Sequence, residues 1–332
     1  MRLDNQRESS NIEDDRSAGG GGMCFPGGGG SGLGGGGGGG VGMLLPLLLN
    51  TIGLRGVIVL AVLYFGLKMV TGVDLLNIGA GGGGISMPSN VGTTTLGQKT
   101  AAAPTADPGA PASCANTGEQ ACVHFVGKVL GSTEDVWGKI FADMGKQYEQ
   151  PKLIMFRNFI QSGCGTAQSS SGPFYCPADH KVYIDLAFYD ELKTKLGAPG
   201  EFAQAYVVAH EVGHHVQNLL GIADQVDQAR RQSSEVESNH LSVKTELQAD
   251  CYAGVWATEA DAMAHILQNG DIEQALNAAS QIGDDHLQRA ARGSVVPDTF
   301  THGTSEQRVR WFKTGLAAKS LNDCDTFNAA SL

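Results

Sequence analysis

The stretch AYVVAHEVGHHVQNLLG, from Ala205 to Gly221, decides how this chain folds. Its apolar side chains recur at the spacing that places them on one broad face of an amphipathic helix. Gly221 predicts the end of that helix, because glycine adopts the left-handed conformation of a helix terminus without a Cβ clash. The stretch therefore predicts a helix with one side in the core. Its apolar residues are Val207, Val208, Val212, Val216, Leu219 and Leu220.

Two histidines and a glutamate on this helix have the spacing of a hydrolytic metal centre. His210 and His214 are four residues apart, so both imidazoles project from one face and can share a metal ion. Glu211 follows the first histidine and lies beside the metal. This H-E-x-x-H arrangement is typical of zinc peptidases, in which the glutamate takes a proton from metal-bound water. The alternative is two helix histidines that only face solvent.

A third ligand is expected, because a catalytic zinc has three protein ligands and one open position. The best candidate lies in SVKTELQADCYAGVWA, which predicts a second helix. Glu246 and Asp250 are four residues apart there, so Glu246 can reach the metal while Asp250 orients a ligand histidine through its free ring N–H. Two alternatives stay open: Asp250 is the direct ligand, or the two carboxylates form an exposed pair.

The chain resembles the thermolysin-like zinc peptidases with a glutamate as third ligand, the gluzincins. More closely, it resembles a bacterial family of membrane-anchored neutral zinc metallopeptidases. The matching blocks are GPFYCPAD, VYIDLAFYDEL, AHEVGHHVQNLLGI, ELQADCYAGVW, ALNAASQIGDD and FTHGTSEQRVRWF, spread over most of residues 114–327. The resemblance implies that His210, His214 and Glu246 bind one zinc ion. Glu211 would then be the general base and Asp250 the carboxylate behind a ligand histidine.

Residues 1–113 have a composition that is not typical of a folded enzyme domain. Residues 1–42 begin polar and become mostly glycine, a composition that favours disorder. Residues 43–76 are apolar, and 56–73 are long enough for a single transmembrane helix. A buried soluble helix and a cleaved signal peptide are the alternatives. Residues 77–113, rich in Gly, Thr, Ala and Pro, predict a flexible linker.

Charge and cysteine distribution predict the orientation of this span. Arg2, Arg7, Arg16 and Arg55 precede the span, and basic residues favour the cytoplasmic side. One cysteine, Cys24, precedes the span and six follow it, an even number suited to disulfides outside the cytoplasm. With the family resemblance, this predicts a single-pass protein of the bacterial inner membrane. Its N-terminus would be cytoplasmic and its catalytic domain periplasmic or extracellular.

The six cysteines beyond the span are expected to form three disulfides. Spacing leaves about fifteen connectivities open. The favoured pairs are Cys114–Cys122, Cys164–Cys176 and Cys251–Cys324, the last tying the C-terminal tail to the Glu246 helix. Zinc ligation by cysteine is the competing interpretation, but the chain contains no C-x-x-C.

Residues 114–327 are long enough for one catalytic domain, with 328–332 as a tail. The pattern predicts a zincin-like α+β fold, mostly helical with a small antiparallel sheet packed on the helices. One sheet edge beside the zinc is expected to receive substrate as an added strand. Besides the two metal-binding helices, helices are predicted at 123–148, 188–196, 225–245, 272–282 and 306–318, and strands at 152–159, 174–176 and 182–186.

Several further side chains are candidates for chemistry. His302, just before a helix capped by Thr304 or Ser305, is a candidate donor to the oxyanion of amide hydrolysis, and Arg308 is a weaker one. The alternatives are a helix-start histidine and a surface arginine. Packing or solvent is expected for His215. A solvated turn is favoured for Asp284, Asp285 and His286, and a packing role for Tyr175, Tyr183 and Tyr189.

The overall charge narrows the class of partner. The chain has 23 Lys and Arg against 34 Asp and Glu, a net charge of −11. This argues against nucleic acid as a partner. The sequence thus predicts a membrane-tethered zinc endopeptidase with a peptide or protein substrate. Two alternatives stay open: a membrane-anchored binding protein with a structural zinc, and hydrolysis of a cell-wall peptide amide.

Overall fold

The architecture is taken from a computed structural model that describes residues 1–16, 118–168 and 171–332. The predicted span at 56–73 and the linker at 77–113 lie outside these residues. All of the described residues belong to one compact unit. Among the described residues, no helix combines the length and the apolar character needed to cross a membrane.

The described residues form eight α-helices and six β-strands. The helices are α1 (Gly118–Asp143), α2 (Ala187–Thr194), α3 (Glu201–Leu219), α4 (Ile222–Arg230), α5 (Glu235–Ala264), α6 (Asp271–Gln281), α7 (Asp284–Arg292) and α8 (Ser305–Ala317). The strands are β1 (Ile12–Asp14), β2 (Lys152–Phe156), β3 (Phe159–Ser162), β4 (Gly165–Gln168), β5 (Phe174–Cys176) and β6 (Lys181–Asp185). The predicted mostly helical α+β arrangement is confirmed.

The main sheet differs from the predicted antiparallel one. Its strand order is β1-β2-β6-β5, in which β1, β2 and β6 run parallel and only β5 is antiparallel to its neighbour. The chain between β2 and β6 forms the separate β3–β4 hairpin and then β5, so β6 returns in the direction of β2. The strand predicted at 152–159 is broken because Asn158 adopts φ 68°, a left-handed conformation that ends regular pairing.

Helix ends follow local capping chemistry. The helix predicted at 225–245 is two helices, because Ser234 and Glu237 form a capping box that starts α5. Thr304 and Gln307 form the same motif at the start of α8. Gly221 has φ 76°, the predicted left-handed conformation, just beyond the end of α3.

The core is centred on α3, which packs against α5, which in turn packs against α8. Phe202 of α3 stacks on Trp256 of α5 with ring centroids 5.8 Å apart. The α5–α8 contact needs glycine, because a Cβ on Gly315 would lie 1.9 Å from the carbonyl oxygen of Cys251. This close packing fixes the rotation of α5 about its axis, and with it the direction of the side chains it presents to α3.

Residues 1–16, called the N-terminal arm below, belong to the same folded body as the helices. The arm supplies β1 at the edge of the main sheet, and Leu3 is part of the hydrophobic core. The prediction that 1–42 is disordered is therefore wrong for residues 1–16, and 17–42 lie outside the described residues. A strand of three residues and a few scattered apolar side chains leave too weak a pattern in the sequence to be recognised.

Two of the predicted disulfides are present, Cys164–Cys176 and Cys251–Cys324. Cys122 is also disulfide-bonded, and its predicted partner Cys114 lies outside the described residues. The Cys251–Cys324 bond fastens the C-terminal residues to α5 at a point one turn beyond Glu246. The tail thereby becomes part of the support of that helix.

Candidate metal centre

Helices α3 and α5 bring the three predicted ligands to one point. Potential ligand atoms of His210, His214 and Glu246 all lie within 4.8 Å of one another. His210 Nε2 is 3.2 Å from Glu246 Oε2, and His214 Nε2 is 3.4 Å from Glu246 Oε1. Each of the two imidazoles therefore directs its Nε2 atom at the Glu246 carboxylate. Two imidazoles and one carboxylate are a donor set that can hold a zinc ion.

The far nitrogen of His210 is held by a buried carboxylate. His210 Nδ1 lies 2.8 Å from Asp250 Oδ1, so the Nδ1–H donates to that oxygen and the Nε2 lone pair points toward Glu246. Asp250 also accepts from the Tyr206 hydroxyl and from Arg308, whose Nε is 2.8 Å from Oδ2 and whose Nη2 is 2.9 Å from Oδ1. Although burial raises the pKa of Asp250, Arg308 and His210 lower it to about 2, so the carboxylate is ionised.

The far nitrogen of His214 is held by a neutral amide instead. His214 Nδ1 is 2.9 Å from Gln217 Oε1, an oxygen that can only accept. Gln217 Nε2 donates to the carbonyl of Thr245 at 2.8 Å and to Gln248 Oε1 at 3.0 Å. Gln248 Nε2 in turn donates to the carbonyl of Cys324 at 3.0 Å. An amide relay thus joins the second histidine to the disulfide-bonded tail.

Electrostatics at the site favour a bound cation. Burial lowers the pKa of His210 and His214, but the Asp250 and Glu246 carboxylates outweigh burial and raise the pKa of both histidines. Burial raises the pKa of Glu246, yet the two histidines hold it well below its ordinary value. A metal ion binds the neutral imidazole, so it replaces the protons that would otherwise balance these carboxylates. The residues therefore fit a single divalent zinc ion.

Glu211 lies in the cleft beside the three candidate ligands. Its side chain is buried, and burial raises the pKa of its carboxyl, an effect that the two neighbouring histidines oppose. A carboxylate that is desolvated in this way is a stronger base than one in water. Its position and environment therefore suit proton transfer.

His302 lies on the same cleft and is oriented by Asp284. His302 Nδ1 is 3.3 Å from Asp284 Oδ1, while Asp284 Oδ2 accepts the backbone N–H groups of Thr301, His302 and Gly303 at 2.7, 2.6 and 3.1 Å. The hydrogen bond to Asp284 raises the pKa of His302 against the effect of burial. The predicted solvated turn is wrong for Asp284, which is a buried residue of the first turn of α7.

Arg308 is neither a surface residue nor a free donor. It is 2% exposed, and its guanidinium is committed to Asp250 and to the hydroxyl of Tyr206. The sequence pattern missed this because an arginine on a helix is typical of an exposed face. A guanidinium held by two oxygens of one carboxylate fixes that carboxylate in turn.

His215 has the predicted packing role. Its Nε2 is 2.7 Å from the carbonyl oxygen of Glu149 and must donate, so Nδ1 accepts from the Tyr175 hydroxyl at 3.1 Å. Asn218 Nδ2 donates to the same Tyr175 oxygen at 3.1 Å. Burial lowers the pKa of His215 to about 4, so it is neutral at pH 7. These hydrogen bonds of Tyr175 with His215 and Asn218 hold β5 against helix α3.

A cleft of about 770 Å³ surrounds these side chains. His210, Glu211, His214, Glu246 and His302 all line it. Apolar residues form much of its remaining wall: Pro173, Phe174, Phe188, Leu196, Val207, Val226, Ile282 and Leu287. The site is therefore open to a ligand larger than water, with an apolar wall and polar groups concentrated at the metal-binding face.

Sequence reasoning overlooked several supporting residues. Gln217 is three residues after His214, a helical spacing that could have identified it as a neighbour of the ring. Tyr206 is four residues before His210 and could have been found in the same way. Asp284 and Gln248 carried no comparable signal, since their partners come from distant parts of the chain.

Comparison with known proteins gives one matching family and several relatives. A model of the family described as "Putative neutral zinc metallopeptidase" matches residues 1–327. A relative from Escherichia coli strain K12, "Uncharacterized protein YpfJ", is 56% identical over 209 residues, which are 63% of this chain and 72% of that protein. A relative from Mycobacterium tuberculosis strain H37Rv, "Uncharacterized protein Rv2575", is 42% identical over 211 residues, 60% of this chain and 69% of that protein. No solved structure matches the chain.

Proposed function

The chain belongs to the neutral zinc metallopeptidase family, and from that premise we propose that it is a zinc-dependent endopeptidase that hydrolyses peptide bonds. One observation carries the proposal. The His210 and His214 Nε2 atoms and the Glu246 carboxylate meet at one point of an open cleft, with the buried Glu211 beside them.

The chain's own residues divide the work of hydrolysis. His210, His214 and Glu246 would hold one zinc ion, which supplies Lewis acidity toward a water molecule and the scissile carbonyl. Glu211 takes a proton at its carboxylate and passes it to the leaving amine. His302, held by Asp284, donates a hydrogen bond to the carbonyl oxygen as negative charge develops there.

The sheet edge supports an extended peptide as the substrate. Among the residues that the structure describes, strand β5 pairs with β6 alone, and Phe174 and Tyr175 of β5 line the cleft. A peptide added along the other side of β5 would gain main-chain hydrogen bonds, and its side chains would face the apolar wall. This arrangement favours peptides or unfolded protein segments over small molecules.

We also propose that the protein is attached to a bacterial membrane through the apolar stretch at 56–73. The support for this is the length and hydropathy of that stretch in the sequence.

The decisive test is the Glu211→Gln variant of the full-length protein, with Glu273→Gln, an exposed glutamate on α6, as the matched control. Zinc content and cleavage of a peptide library are measured for each, with and without chelator. We expect one zinc per chain in all three proteins, and cleavage lowered at least about 100-fold in Glu211→Gln alone. Undiminished cleavage by Glu211→Gln would refute the role of the base. No chelator-sensitive cleavage by the zinc-loaded wild type would refute the peptidase.

A further inference from the structure

The N-terminal arm is held on the helical domain by main-chain pairing. Strand β1 lies parallel to β2 in the register Ile12 to Leu153 and Asp14 to Met155. The pairing continues at both ends, where Leu153 N donates to the Asn11 carbonyl and the N–H of the residue after β1 donates to Met155, each at 2.8 Å. The arm therefore completes the sheet as one of its four strands.

The domain carries a buried acid whose partners come from the arm. Glu134 of α1 is 2% exposed. Ser9 Oγ donates to Glu134 Oε1 at 2.6 Å, Asn11 Nδ2 donates to the same oxygen at 2.8 Å, and Arg7 Nη2 lies 2.8 Å from Oε2. In the folded chain this carboxylate is buried, and removing the arm would withdraw all three of these groups from it, a costly change.

The surface of α1 is also shaped for the arm. A Cβ on Gly131 would lie 2.5 Å from the carbonyl oxygen of Arg7, so a glycine in the middle of this helix makes room for the arm backbone. One turn earlier, the Gly127 carbonyl accepts the N–H of Ser9 at 3.0 Å. Glycine inside a helix is unfavourable by about 1 kcal/mol relative to alanine, so its presence here fits a binding surface for the arm.

These contacts limit how the chain can be placed in a membrane. A hydrocarbon layer is about 30 Å thick, so two segments on opposite sides of it cannot share a β-sheet or a hydrogen bond. An arm contributed by a second copy would obey the same restriction. The arm and residues 118–332 must therefore be in one compartment when the sheet forms.

We propose that the N-terminal arm and the peptidase domain lie on the same side of the membrane, so that the apolar stretch at 56–73 attaches the chain to the membrane from that side instead of crossing it as a single span. This rests on the proposed membrane attachment, and it replaces the expected arrangement of a cytoplasmic N-terminus and an exported domain. Two of the four basic residues behind that expectation have partners in the fold: Arg7 pairs with Glu134 and Asp135, and Arg16 with Asp14.

The test is the labelling of single cysteines in the full-length protein in intact cells. Asp4→Cys reports the arm and Lys313→Cys, exposed on α8, reports the domain, both in a Cys24→Ser background. A membrane-impermeant maleimide is applied to spheroplasts before and after permeabilisation. We expect both positions to react at the same stage. Reaction of one before and the other only after permeabilisation would overturn the proposal.

A second measurement tests the docking itself without using activity. Glu13 Oε1 and Lys152 Nζ are 2.6 Å apart across β1 and β2, so a zero-length carbodiimide should couple them. Lys128→Arg, on α1, serves as a control that leaves this pair intact. We expect the cross-linked peptide from the membrane fraction, and its absence would overturn the proposal. Recovery of the protein in the soluble fraction would refute membrane attachment while leaving the cross-link and the peptidase assay to be read separately.

Discussion

Arg308 and Asp250 form a two-point ion pair directly behind the metal-binding face, with Nε to Oδ2 at 2.8 Å and Nη2 to Oδ1 at 2.9 Å. Both side chains are at most 3% exposed. The pair fixes the carboxylate that orients His210, so the arginine would influence metal binding through Asp250. Its contribution should be visible in zinc affinity.

We expect Arg308→Met to weaken zinc binding by about 10- to 100-fold, because Asp250 would lose the groups that hold it in place. The measurement is chelator competition on the full-length protein. Arg310→Met is the control, since Arg310 lies on the same helix but is exposed. Equal zinc affinity of the two variants would contradict a positioning role for Arg308.

The amide relay predicts a second, separate loss of affinity. In Gln217→Leu, His214 loses the acceptor of its Nδ1–H, and zinc affinity should fall about tenfold. Gln248→Leu should give a smaller loss, because it removes only the support of Gln217. Gln225→Leu, exposed on α4, is the control. If Gln217→Leu binds zinc as tightly as the control, the relay has no bearing on the metal.

The Asp284–His302 pair predicts a shift in the pH profile of cleavage. Asp284 raises the pKa of His302, so Asp284→Asn should lower it. If the protonated imidazole stabilises the oxyanion, the alkaline limb of kcat/KM should move to lower pH while zinc content stays unchanged. The profile of His302→Gln should lack that limb. An unshifted limb in Asp284→Asn would remove His302 from the mechanism.

His215 predicts how stability depends on pH. Burial lowers its pKa from the ordinary 6.5 to about 4. Between pH 6.5 and about pH 4, His215 binds a proton in the unfolded chain but not in the folded protein. The free energy of unfolding therefore falls as the pH falls through this range. The loss is at most about 3 kcal/mol. Denaturant unfolding at pH 7.5 and pH 4.5 should show a smaller loss for His215→Gln than for the exposed control His286→Gln. Equal losses of unfolding free energy in the two variants would contradict this effect of His215.

The metal-binding face could be anticipated from spacing alone. His210 and His214, like Glu246 and Asp250, are related by one helical turn. Residues at this spacing share one face of a helix, however the helix packs in the fold. The disulfide between Cys251 and Cys324 has a different basis: it is the pair that remains once the two short loops take the other four cysteines. Local geometry was enough for the two helical pairs alone.

Features that depend on distant partners could not be anticipated. Arg308 looks like a surface residue until α8 packs on α5 and buries it beside Asp250. The three residues of β1 have no alternation long enough to predict a strand, and only their pairing with β2 defines one. Asp284 likewise gains its role from backbone groups contributed by residues 301–303.

The arm also matters for how the protein is handled in the laboratory. A fragment that starts at residue 118 would leave β2 paired with β6 but without its β1 neighbour, and such an open edge is a template for self-association into insoluble material. It would also leave the carboxylate of Glu134 without its three partners. A tractable fragment for crystallisation should therefore keep Met1–Arg16 and join them to residue 118 by a short hydrophilic tether.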